Sequence, residues 1–162
     1  MRTGTQAASS RARHGVCWLA LSLLVASCSI SSSEIEAVTI QGTAVPPVPT
    51  LDVKRVQAGQ ELYTQYCAAC HGLDLEGQLN WKLPKADGSY PAPPHNSQGH
   101  TWHHPDELLL EIIANGGDPA LGATMPGFGE VLSEEQMGMI LDFIKSHWGE
   151  EERQFQWWVT AR

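Results

Sequence analysis

Basic residues are scarce in this chain. Ten lysines and arginines face eighteen aspartates and glutamates over 162 residues, a formal net charge of −8. Nucleic acid is therefore a poor partner, because its binding rests on a local excess of cations over phosphates. Cysteine is scarce too, with four in all: Cys17, Cys28, Cys67 and Cys70. Long apolar runs are absent. The run at residues 16–26 has eleven residues, roughly half the length that spans a bilayer as a helix. No internal repeat is visible, which argues against a solenoid. No nucleophile stands with a base and an orienting acid in the way covalent catalysis requires.

What is present begins at the N-terminus. Arg2, Arg11 and Arg13 precede the apolar run, which suits the core of a secretory signal. The run closes on Val25, Ala26, Ser27 and Cys28. Small residues before a cysteine at this point resemble a bacterial lipobox. That resemblance implies a signal peptide over residues 1–27 and a lipid on Cys28, tethering the chain to a membrane without a spanning helix. Removal of the signal leaves seven basic residues against all eighteen acidic ones, a net −11. Complementary charge would then speed encounter with a basic docking surface on another protein.

Cys67-Ala68-Ala69-Cys70-His71 is the densest chemical signal. Cys-x-x-Cys-His is the attachment pattern for c-type haem. Two thiols add across two vinyl groups of one porphyrin, so they must sit a short fixed distance apart. The adjoining His71 can then ligate the iron. A redox dithiol or half of a zinc site uses the same cysteine spacing. If Cys17 is removed and Cys28 acylated, only these two thiols remain. A zinc site would have to recruit distant histidines.

The surrounding chain divides readily. Residues 28–54 are rich in serine and proline and read as a tether that buries little. A folded domain is expected over residues 55–149, beginning near Val56 with a helix to Cys67 whose apolar stripe holds Leu62, Tyr63 and Tyr66. Residues 72–104 carry many glycines and prolines and read as a long loop, which a compact domain tolerates if the loop wraps something. A second helix is expected from Pro105 to Asn115, burying Leu108, Leu109, Ile112 and Ile113. A third begins at Ser133 with a capping box through Gln136 and carries Met137, Ile140, Leu141, Ile144 and Trp148. Residues 150–162 form an extension expected to be helical.

Between those last two helices of the domain lies Met125, 54 residues after His71, in Ala123-Thr124-Met125-Pro126-Gly127-Phe128. A rigid loop can aim its thioether at an iron, although methionine is also a common gap filler.

These residues together resemble a class I mono-haem cytochrome c over about residues 56–148. Gly59, Tyr63 and Cys67 are spaced four apart, as in that family's N-terminal helix, and Ile140 and Phe143 match its partner helix. The resemblance implies an all-α cytochrome c fold, three to five helices wrapped with long loops around one covalent haem c. It implies thioethers at Cys67 and Cys70, and axial iron ligands His71 and Met125. It also implies a proline carbonyl accepting from His71, for which Pro94 is favoured over Pro93. The implied function is single-electron transfer between redox proteins at the outer face of a membrane, with no catalytic residue. An oxidase or dehydrogenase would be the partner class.

His95, His100, His103 and His104 crowd the long loop. They are read first as residues that hydrogen-bond and cover a haem edge. Two alternatives stay open: a copper-binding module built on this loop, and a haem protein with peroxidase or ligand-binding activity.

Overall fold

The computed structural model describes residues 38–162. The signal peptide, Cys28 and residues 28–37 of the expected tether lie outside the described residues. The described part is helical, with one two-stranded hairpin: β1 (Thr39–Ile40), β2 (Thr43–Ala44), α1 (Val53–Tyr66), α2 (Ala68–His71), α3 (Asp106–Asn115), α4 (Glu134–Ser146) and α5 (Glu150–Thr160). Among the described residues, no helix is long and apolar enough to cross a membrane.

Helix α1 starts three residues before the expected Val56 because Asp52 caps it. The carboxylate of Asp52 accepts from the N–H groups of Lys54, at 2.7 Å, and Arg55, at 3.1 Å. Such a cap satisfies donors that the first turn leaves orphaned. Helix α4 opens with the expected capping box, Ser133 and Gln136 each bonding the other's backbone. Met137, Ile140, Leu141, Phe143 and Ile144 make its buried face.

Helices α1 and α4 pack directly on each other, and Gly59 is the point of closest approach. A Cβ there would run into the carbonyl oxygen of Met139 and lie 3.1 Å from Cβ of Phe143. One turn on, the ring of Tyr63 packs on Phe143 with centroids 5.2 Å apart. Arg55 joins the same two helices by donating to Asp142 at 2.7 Å. Gly59→Ala is expected to cost about 1–3 kcal/mol, since the clash is with backbone that cannot move aside. A urea melt will test this; an unchanged midpoint would mean the helices separate freely at this point.

Helix α3 begins after Pro105 and carries Asp106 and Glu107 in its first turn, where the helix dipole favours acids. Leu109 and Ile113 are buried, but Leu108 is exposed, unlike its expected place in the core. Leu108 precedes Leu109 by one residue, and about 100° of helical rotation turns it away.

Helix α5 packs inward through Gln156 and Trp158. The Gln156 amide donates to Asp106 at 2.6 Å, and Asp106 also accepts from Lys145 at 2.6 Å. One carboxylate thus joins α3, α4 and α5. The segment before α1 does not stand clear of this face. Arg153 donates to the carbonyl of Pro49 at 2.7 Å, and residues 48–52 line a cavity of about 330 Å³ with Arg153, Gln156 and Trp157.

Candidate functional site

The Cys-x-x-Cys-His segment sits where α1 ends. Cys67 caps α1, its N–H donating to the carbonyl of Tyr63. One further turn, α2, carries Cys70 and His71 before Gly72 stops it at a φ of 79°. Both thiols are unpaired; Cys67 is half-buried and Cys70 exposed. Burial, with the neighbouring Cys70 adding to it, pushes the Cys67 thiol up to about 11. A nucleophilic redox dithiol needs the opposite shift.

His71 is buried, with 6% of its surface exposed. Its Nδ1–H donates to the carbonyl oxygen of Pro93 at 2.8 Å. That bond assigns the proton to Nδ1 and leaves the Nε2 lone pair for a metal. Burial also holds the imidazole below its ordinary pKa, favouring the neutral, ligating form. The acceptor is Pro93 and not the favoured Pro94. The Pro94 carbonyl instead faces the turn at Gly99, where a Cβ would collide with it. Gly77 makes the approach of Pro93 possible. Its N–H donates to the carbonyl of His71 at 2.8 Å, its φ is 68°, and a Cβ would lie 2.6 Å from the carbonyl carbon of Pro93. The long loop is thus folded back upon the motif, and Leu75 within it is fully buried.

The four loop histidines do not converge. His95 stacks on His71, with centroids 4.0 Å apart. His100 stacks on Trp81 at 5.5 Å, and His103 on Trp102 at 3.7 Å. His104 meets His100 edge-on. Among the described residues, no three His, Cys, Asp or Glu side chains group as a metal site. The stacking sets the His95 ring face to face with that of His71.

These imidazoles make stability depend on pH. Burial pushes His95 well below 6.5, with repulsion from His71 and His100 adding to it. Burial also lowers His100 and His104. The unfolded chain therefore binds these protons at a higher pH than the folded one. Their contribution is fully present above pH 6.5 and is lost as pH falls toward the depressed values. The urea midpoint is expected to drop between about pH 7 and about pH 5; a flat profile would contradict this.

Met125 lies on the loop between α3 and α4, half-buried against the core. Its carbonyl accepts from Gly117 N–H at 3.0 Å, and Phe128 and Gly129 donate to the carbonyls of Ile113 and Ala114 at 2.9 Å each. The loop is thereby pinned to the end of α3. The ring of Phe128 meets Tyr66 edge-on at 6.1 Å. This contact brings the Met125 loop against the end of α1 that bears Cys67.

A porphyrin fits this arrangement. Two free thiols flank an imidazole whose tautomer is already set. Leu73, Leu79 and Leu83, just beyond the motif, are 67%, 87% and 61% exposed. Sequence reasoning missed the stacking of His95 on His71, because no spacing rule brings residues 24 apart into register.

An all-α domain presenting paired thiols beside a backbone-oriented imidazole defines the class of proteins that attach haem covalently. Residues 54–144, more than half of the chain, match the family described as cytochrome c oxidase, cbb3-type, subunit III, and the chain belongs to this family of c-type cytochromes. It is similar to a gluconate 2-dehydrogenase cytochrome c subunit of Pantoea cypripedii, 32% identical over 57% of this chain and 20% of the relative. It is also similar to a nitrite reductase of Stutzerimonas stutzeri, 24% identical over 68% of this chain and 20% of the relative. The chain thus spans about a fifth of the length of each. Family membership carries covalently bound haem c and a role in electron transfer.

Proposed function

We propose that this chain is a mono-haem cytochrome c carrying single electrons between redox proteins at the outer face of a membrane. The observation that carries the reading is the Nδ1–H bond of buried His71 to Pro93, beside the free thiols of Cys67 and Cys70. When bound, haem c supplies a reversible one-electron ferric–ferrous couple. Cys67 and Cys70 hold it by thioethers. His71 offers Nε2, and the Pro93 carbonyl keeps that ring oriented and basic. Met125, on the loop pinned to the end of α3, would offer its thioether to the iron.

Residues 1–27 act as the signal peptide and Cys28 as the lipid anchor, with the tether that begins there linking it to the domain. The lipobox-like residues Val25-Ala26-Ser27-Cys28 support this part of the reading. The partner is an oxidase or dehydrogenase; the similarity to a dehydrogenase cytochrome c subunit supports that class. A spectroelectrochemical titration of the exported protein tests the function. One haem per chain and a reversible single-electron curve are expected. Two haems, or an irreversible curve with peroxide turnover, would overturn it.

A further inference from the structure

We propose that His95 is a positioning residue for the His71 imidazole, fixing the rotation of that ring about its axis toward the iron. This rests on the reading of His71 as an iron ligand. The bond to Pro93 fixes His71 at one atom, Nδ1. A single hydrogen bond restrains the direction of a ring but leaves its plane free to rock. The His95 ring lies over His71 at 4.0 Å with an interplanar angle of 24°, and this flat contact restrains the plane.

A restraint works only if it is itself held, and His95 is held from four sides. Its Nδ1 pairs with the hydroxyl of Thr101 at 2.8 Å, and Thr101 is buried. Its backbone N–H donates to the carbonyl of Leu75 at 2.9 Å. Its own carbonyl accepts from the indole N–H of Trp148 at 2.7 Å. The edge of its ring meets Tyr63 at 6.4 Å and 75°. These partners come from the loop on both sides of His95, from α1 and from just beyond α4. Two of the polar bonds hold the backbone of residue 95, and the Thr101 bond is the one made by the imidazole itself. The Thr101 bond in particular sets the rotation of the His95 ring, and hence the plane it presents to His71. Outer partners that orient a ligating histidine are a general means of tuning a metal site.

The test uses proton NMR of the ferric holoprotein. The plane of an axial imidazole orients the half-filled iron orbital, so the spread of the haem-methyl resonances reports that plane. Wild type, His95→Phe, His95→Leu and Thr101→Val are compared, with covalent haem checked by mass in each. His95→Leu is expected to reorder or broaden the methyl resonances. His95→Phe keeps a flat ring but loses the Thr101 bond, and is expected to fall between His95→Leu and wild type, shifting the pattern about as far as Thr101→Val. Thr101→Val keeps every ring yet frees His95 to turn, and is expected to shift the pattern in the same direction as His95→Leu by a smaller amount. If His95→Leu does not fold, Thr101→Val decides alone. Wild-type resonances in every folded variant, with only a lowered melting temperature, would reduce His95 to packing and overturn the proposal. Absence of covalent haem or of an iron–imidazole bond in the wild type would overturn the reading of His71 beneath it.

Discussion

Replacing Cys67 and Cys70 together by serine is expected to abolish covalent haem and leave the domain largely unfolded. In the proposed reading the two thiols are the points of attachment, and serine hydroxyls do not add to vinyl groups under the same conditions. The structural cost is the loss of the haem's own apolar contacts: covering one large apolar side chain is worth about 1.5–3 kcal/mol, against the roughly 5–15 kcal/mol that holds a domain together. Mass spectrometry reads the haem and circular dichroism the fold. A well-folded double mutant would mean that the packing of α1 on α4 suffices alone. Cys70→Ser by itself is expected to be milder, since Cys70 is exposed and Cys67 keeps one thioether.

Met125→Ala leaves attachment intact and changes the iron. Both thioethers and His71 remain, so the haem stays, but one axial position opens. Thioether ligation raises the potential of a haem relative to nitrogen ligation. The potential is expected to fall by roughly 0.1 V or more, within the ~0.8 V range that axial ligands set. Exogenous imidazole or cyanide then binds where it did not before. Stability should suffer less, because Met125 is only half-buried and its loop is pinned by backbone bonds from Gly117, Phe128 and Gly129. A variant with unchanged potential and no affinity for added ligands would assign the second position to another residue.

Much of the fold was legible because local rules governed it. Ser133 and Gln136 announced the start of α4, and the spacing of Ile140, Leu141 and Ile144 announced its buried face. Gly59, Tyr63 and Phe143 announced the helix crossing. Asp52 set the start of α1 through its cap, three residues before the apolar stripe suggested. The loop was harder. Which carbonyl meets His71 depends on the direction each of two adjacent prolines presents, and the turn at Gly99 claims Pro94. For the four loop histidines, copper binding was only an alternative to covering a haem edge, and each stacks on or meets a different aromatic ring. Contacts between residues distant in the loop have no period to reveal them. For the same reason, nothing in the composition of residues 48–52 foretold their place against α5.

The central claim is that His71 and Met125 together saturate one covalently held iron. The ferric absorption spectrum of the exported protein tests it most directly. A low-spin spectrum with the weak far-red band of a thioether–ferric bond, lost in Met125→Ala, is the result expected. A high-spin spectrum, or a low-spin one in which that band is missing, would contradict the account.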